Sequence, residues 1–220
     1  MRRTAILFDL DGTLVDTAPD LHDALNAVLA AGGRPGVAAE SVRAMVGDGA
    51  RKLVERGLAA TGLVTPELVE AGFAQFLEYY GRNIARLSKP FPGVAEVLVE
   101  LKQRECRLGV CTNKPVRLSE RLLEEVGLAP YFDAVVGGDS LGVRKPDPGH
   151  VIATIEQLGA RCEASVMVGD SLNDVRAARG AGIPVIVVSF GYTSIPPHEL
   201  GADALVQHFS ELSEAIRRLD

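Results

Sequence analysis

The stretch that most constrains the fold is "ILFDLDGTLVDT", residues 6–17. An apolar run of strand character ends in two carboxylates one residue apart, Asp9 and Asp11, and the chain turns at once on Gly12. Acids at the end of a buried strand cost free energy unless a cation or hydrogen-bond donors meet them. Other parts of the chain must bring such groups to the same place.

Short apolar runs recur along the sequence: "TAILF", "RLGVC", "AVVGG", "SVMVG", "PVIVV" and "DALV", with amphipathic patterns between them. That rhythm predicts an α/β fold, a doubly wound, Rossmann-like parallel sheet covered on both faces. Helical faces are legible in Val94, Val97, Leu98 and Leu101, in Leu118, Leu122 and Val126 before Gly127, and in Val151, Ile152, Ile155 and Leu158 before Gly159. Between the first two strands the rhythm breaks. From about residue 16 to residue 86 only helical patterns occur: Leu21, Leu25, Val28 and Leu29, then Leu53, Val54 and Leu58. A third helix is N-capped by Thr65, has Pro66 at its first position and continues through Val69, Phe73, Phe76 and Tyr80. A crossover needs one helix, so several in a row predict an inserted α-helical cap domain at 16–86. The α/β core is then 1–15 and 87–220, and the Pro-rich "KPFPG", residues 89–93, marks re-entry. Phe73, Phe76, Tyr79 and Tyr80 fit either the core of the cap or a dimer face.

The 220 residues carry a net charge of −6 with no basic block, which argues against nucleic acid as a partner. No run approaches the roughly 18 apolar residues of a membrane span. The apolar run after "MRR" breaks at Asp9, short of the roughly 7 to 15 residues of a leader's apolar region, so a cytoplasmic location is expected. Three cysteines without C-x-x-C spacing read as reduced packing residues. His22, His150, His198 and His208 lie outside every polar cluster and read as surface or packing residues. The oligomeric state stays open between monomer and homodimer.

Further polar residues stand directly after apolar runs, as Asp9 and Asp11 do. Thr112 and Asn113 follow "GVC", Asp170 follows "VMVG" with Asp174 one turn later in "GDSLND", and Lys145 follows "AVVGG" within "GVRKPDP". Parallel strands point the same way, so these clusters gather at the carboxyl edge of the sheet, where such folds bind ligands. Close carboxylates repel one another unless a hard cation sits between them, and Mg2+ suits oxygen ligands with incomplete protein coordination. With a lysine and a hydroxyl added to answer non-bridging oxygens, the composition reads as a phosphoryl-transfer site.

"DLDGTLVD", "CTN", "RKPDP" and "GDSLND" together resemble the four motifs of the haloacid dehalogenase superfamily, in that family's order, and the insert falls where the family carries its cap. The resemblance implies that Asp9 is the nucleophile, forming an aspartyl-phosphate. It implies that Asp11 protonates the leaving alkoxide and later deprotonates the attacking water. Mg2+ would be held by Asp9, the Asp11 main-chain carbonyl and Asp170, with Asp174 behind them or in contact through a water. Thr112, Asn113 and Lys145 would hold the transferring phosphoryl group. A second role for Thr112, as N-cap of a helix beginning in "KPVRL", is compatible with the first. The acid at position 11 separates the chain from the dehalogenases and phosphonate hydrolases of the family, whose leaving groups need no such proton donor.

Specificity is expected from the cap. "VGDGARKLVERGL", residues 46–58, sets a pliable Gly47–Asp48–Gly49 turn between two helical patterns. Arg51 and Lys52 follow, each able to pair with a carboxylate on a small substrate, against a competing reading as solvated surface. This segment and "LVDTAPDL" are similar to segments of the phosphoglycolate phosphatases, a branch of the superfamily. That implies a small phosphorylated metabolite as partner and hydrolysis of 2-phosphoglycolate to glycolate and phosphate. Capped phosphatases of sugar phosphates, nucleotides or pyrophosphate, and phosphohexose mutases, share the core motifs. A phosphoacceptor signalling module fits less well, because it carries no helical insert and places its phosphoacceptor on a later strand.

Overall fold

Residues 4–220 are described by a computed structural model of the chain, and the "MRR" segment weighed above lies outside them. The core elements are β1 (Ala5–Phe8), α5 (Val94–Gln103), β4 (Arg107–Cys111), α6 (Val116–Glu125), β5 (Ala134–Val136), α7 (Pro148–Gln157), β6 (Ser165–Gly169), α8 (Leu172–Gly180), β7 (Val185–Val188), β8 (Ala204–Val206) and α9 (Leu212–Arg218). Six strands form one sheet in the order β5–β4–β1–β6–β7–β8, each pair parallel.

The unbroken apolar character of β1 has a direct cause. Ile6 and Phe8 face the cluster that includes α5, α6 and α9, while Ala5 and Leu7 face the cluster that includes α7 and α8. Both faces of the strand are buried, so no polar alternation survives. The chain runs from β1 outward to β4 and β5, then returns to place β6 on the other side of β1. The winding direction therefore reverses around β1, and its carboxyl end is the switch point where such sheets open a crevice. Ile152 departs from the expected apolar face: it is exposed, and α7 buries Val151, Thr154 and Ile155 instead.

Between β1 and α5 lie β2 (Val15–Asp16), α1 (Ala18–Ala31), α2 (Ala39–Arg43), α3 (Ala50–Thr61), α4 (Pro66–Arg82) and β3 (Lys89–Pro90). Thr65 caps α4 by accepting the Leu68 N–H at 3.3 Å. Helices α1 and α3 pack tightly enough that a Cβ on Gly57 would stand 2.6 Å from the Leu25 side chain. Strands β2 and β3 pair antiparallel where the chain leaves and re-enters the core. Buried Asp20 secures the same crossing by accepting the Leu87 N–H, the Ser88 N–H at 2.8 Å and the Ser88 hydroxyl at 2.6 Å. Phe76 and Tyr80 of α4 stack at 5.7 Å and are buried. Phe73 and Tyr79 are half-buried, Tyr79 donating to Asp23. Among the described residues no helix is long and apolar enough to cross a membrane.

Candidate active site

The loop leaving β1 carries Asp9 past the last strand residue and folds back so that Leu14 and Val15 donate to the Leu10 carbonyl. Gly12 makes this possible with φ of 85°, and a Cβ there would stand 2.5 Å from an Asp170 oxygen. The sequence step from two acids straight into glycine thus lets the β1 loop approach the acid delivered by β6.

Asp9, Asp170 and Asp174 are buried, and each offers an oxygen within 4.8 Å of the others. Lys145 answers two of them, donating to Asp174 Oδ1 at 2.6 Å and lying 3.0 Å from Asp9 Oδ1. Burial pushes the Asp9 carboxyl up to about 6, the Lys145 ammonium pulling the other way. Burial, then the neighbouring Asp174 and Asp9, push Asp170 well above the usual carboxylate range. Burial works to lower Lys145, but the Asp174 and Asp9 carboxylates outweigh it and hold the ammonium protonated. Three carboxylates against one ammonium leave a formal surplus of two negative charges, which a divalent hard cation matches. The donor set is all oxygen and suits such an ion.

The three acids are not equivalent. Asp174 stands in the first turn of α8, and its Oδ2 accepts the Ser171 N–H at 3.0 Å and the Ser171 hydroxyl at 2.6 Å. Its Oδ1 holds Lys145, so both oxygens are committed and Asp174 serves to position the lysine. Asp170 is held by the Thr13 hydroxyl at 3.2 Å and by the Tyr192 N–H. Among the described residues Asp9 accepts only the Leu10 N–H besides its lysine contact, and it borders a cavity beneath the helical segment.

That cavity measures about 40 Å³, with Asp9, Asp11, Thr112, Asn113 and Lys114 on its core side. Thr112 accepts the Lys114 N–H at 3.3 Å and does not cap α6, whose first N–H, on Val116, donates to Asp139 at 2.7 Å. Asn113 donates to the Lys145 carbonyl at 2.9 Å and across to the Gly47 carbonyl at 3.0 Å. The Gly47–Asp48–Gly49 turn therefore closes onto the core. Asn173 also donates to Asp48, at 2.7 Å, and Arg56 pairs with the same carboxylate. Asp48 is thus held at the seam between cap and core. Arg51 is not brought to the cavity: it pairs with Glu70 on α4 and lies over the Phe73 ring on the outer side of the cap. Lys52 pairs with Glu55 on the surface of α3.

Three residues of the site escape a reading of the sequence. Lys114 is buried and donates to both Asp11 oxygens, at 3.0 and 3.2 Å, and to the Tyr80 hydroxyl at 2.8 Å. Tyr192 donates its N–H to Asp170, while its hydroxyl donates to Asp16 and accepts the Ala18 N–H at 2.9 Å. It thereby ties a site carboxylate to the first cap linker. A signal for Lys114 existed in its place two residues past Thr112 on the same strand end. Tyr80 and Tyr192 lie far along the chain and carried none. Of the histidines, buried His150 lies against the Gly137 carbonyl at 3.1 Å, and His22 lies 2.8 Å from the Val37 carbonyl within the cap. Burial pushes the Cys111 thiol up to about 11, so it stays an inert packing group.

Residues 4–182 match the family model described as haloacid dehalogenase-like hydrolase. A phosphoglycolate phosphatase of Caulobacter vibrioides is 49% identical over 211 residues, covering 96% of this chain and 89% of the relative. A crystal structure described as a predicted phosphoglycolate phosphatase from Haemophilus somnus superposes with a TM-score of 0.93 at 31% identity, covering 98% of each chain. The structure of CbbY from Rhodobacter sphaeroides in complex with phosphate superposes with a TM-score of 0.80 at 29% identity, covering 95% of this chain and 96% of the other.

Proposed function

The chain belongs to the haloacid dehalogenase-like hydrolases and is a phosphatase of that family, and from that premise we propose that it hydrolyses 2-phosphoglycolate to glycolate and phosphate through an aspartyl-phosphate on Asp9. The observation that carries this reading is the cavity: Asp9 and Asp11 side by side at its floor, cap residues over it, and about 40 Å³ between them. Such a volume holds a few waters, so a two-carbon ester asks far less opening of the cap than a hexose or nucleoside does. In this reading residues 16–86 are the cap and residues 1–15 with 87–220 the catalytic core.

In the first half-reaction an Asp9 oxygen attacks phosphorus, the bond from phosphorus to the ester oxygen breaks, and Asp11 gives its proton to the departing alkoxide. In the second, Asp11 takes a proton from water, the hydroxide oxygen bonds to phosphorus, and the bond to Asp9 breaks, restoring the carboxylate. Thr112, Asn113 and Lys145 would hold the phosphoryl oxygens, Lys145 also orienting Asp9 from 3.0 Å. Mg2+, held by Asp9, Asp170 and the Asp11 main-chain carbonyl, would supply positive charge against the phosphoryl group. Closure of the cap, through the Gly47 and Asp48 contacts, excludes bulk water from the first half-reaction.

The test is phosphate release with Mg2+ from 2-phosphoglycolate, glucose 1-phosphate, a nucleoside monophosphate, pyrophosphate and an aryl phosphate, compared by kcat/KM. The expected result is a lead for 2-phosphoglycolate of at least about a hundredfold, more than an apolar pocket alone would usually give. A flat profile, or another leader, removes the substrate and leaves the chemistry of Asp9 to be judged separately.

A further inference from the structure

A buried cation at the seam between cap and core, Lys114, has no part in the phosphoryl-transfer steps given above. Lys114 is buried, its ammonium 2.8 Å from the Tyr80 hydroxyl and 4.4 Å from the centre of that ring. Of the described residues lining the cavity it is the one cationic side chain, since Lys145 sits behind Asp9 and is spent on two carboxylates. Its present partner is Asp11, the residue that faces the leaving group, so the ammonium stands on the leaving-group side of the reacting bond. Tyr80 accepts from Lys114, and its own hydroxyl proton meets no acceptor among the described residues. A buried cation and a buried hydroxyl proton without an acceptor thus converge beside Asp11, while Leu21, Leu53 and Phe76 leave the remaining wall apolar. An ammonium has three donors, enough to keep one contact to Asp11 and give another to an incoming anion.

We propose that Lys114 and Tyr80 form the seat for a carboxylate carried on the leaving alcohol, one carbon from the ester oxygen, and that the substrate class is the phosphate esters of small 2-hydroxy acids. The assignment rests on the function proposed above and narrows it to a chemical rule. The carboxylate displaces part of the Lys114–Asp11 pair and accepts the Tyr80 proton. A hydroxyl or methyl group at the same place leaves the ammonium with Asp11 and gains nothing. A bulkier substituent meets Leu53 and Phe76 of the cap.

The experiment compares kcat and KM for 2-phosphoglycolate and 2-hydroxyethyl phosphate, which differs only in bearing an alcohol where the other bears a carboxylate. It uses the full chain with Mg2+ and the variants Lys114→Met, Lys114→Arg and Tyr80→Phe. In the unaltered protein the ratio of kcat/KM is expected to favour the acid by about a hundredfold, the scale of a buried charge-assisted contact. Lys114→Met should bring the ratio to within about threefold of unity, mainly through KM for the acid, whereas Lys114→Arg keeps at least about tenfold preference. Tyr80→Phe should reduce the ratio about fivefold, the worth of one hydrogen bond, and decides the matter alone if Lys114→Met does not fold. Equal losses on both esters, with the ratio kept, would mean that Lys114 serves Asp11 only and would overturn the assignment. A ratio near unity in the unaltered protein would instead overturn the proposed substrate itself, before any variant is made.

Discussion

The floor of the site and its roof are built on different terms. On the floor, Asp9, Asp170, Asp174 and Lys145 are all buried and locked by one another and by local donors such as the Leu10 and Ser171 N–H groups. Asp9 and Asp170 stand at the ends of β1 and β6, strands packed on both faces, with Asp174 in the first turn of α8 and Lys145 in the loop before α7. Polar contacts across the seam, Asn113 to Gly47, Asn173 to Asp48, Lys114 to Tyr80 and Tyr192 to Asp16, join the roof to the floor beside an apolar cluster that runs through both. The floor is an ionic cluster whose members hold one another, whereas the roof's polar contacts to it are separate hydrogen bonds.

Breaking the floor should cost stability first. Lys145→Met leaves Asp9 and Asp174 facing each other without a protein cation, and removing one partner of a buried ion pair costs about 3–5 kcal/mol. Urea unfolding with a chelator present should register that loss, and added Mg2+ should return part of it. An unchanged midpoint would show that the carboxylates do not depend on the lysine. Asp11→Asn touches the line between floor and roof. Turnover should fall at least about a hundredfold while Mg2+ affinity, read by calorimetry, stays near that of the unaltered protein. Full activity in this variant would remove Asp11 as the proton donor.

A pH series sharpens the comparison from beneath the floor. Burial, then the Lys145 charge, pushes the His150 ring down to about 4, below its ordinary 6.5, so the folded protein keeps it neutral where the unfolded chain takes up a proton. Its contribution to stability is therefore whole above about pH 6.5 and is lost as pH falls toward 4. Asp9, raised to about 6, acts in the opposite sense over much of that range, but it is common to both proteins and cancels in a difference. Between pH 7 and 4.5 the urea midpoint of the unaltered protein should fall more steeply than that of His150→Gln. Parallel slopes would contradict the assignment. The smallest effect belongs to the outer face of the roof: Arg51→Ala should leave kcat/KM within about twofold, because an exposed ion pair contributes little. A selective rise in KM for an acidic substrate would return Arg51 to the pocket.

The strands and the four polar clusters were legible because strand ends are marked by composition and a parallel sheet has one carboxyl edge. Asp9, Asp170, Asp174 and Lys145 needed only their order to be gathered. The cap helices were legible through Leu21, Leu25, Leu53 and Val69, each buried where its period puts it. What was not legible depends on rotation and on distance. Arg51 and Arg56 lie five positions apart in the chain, well over one turn of about 3.6 residues, and so leave α3 in different directions. Arg51 meets Glu70, and Arg56 returns to Asp48 and the Met45 carbonyl. The second role that Thr112 offered, as a helix cap, falls instead to Asp139 from the loop after β5, which accepts the Val116 N–H. Tyr80 and Tyr192 reach the seam from the far end of α4 and from the loop after β7, and no local pattern in sequence encodes a partner that tertiary packing alone supplies.

The most direct measurement is rapid acid quenching of the Mg2+ reaction with phosphorus-labelled 2-phosphoglycolate, followed by mapping of any label left on the protein. Transient label is expected on the peptide carrying Asp9, appearing no later than free phosphate and absent from Asp9→Asn. Phosphate release with no protein-bound label at any time, or label on another residue, would contradict it.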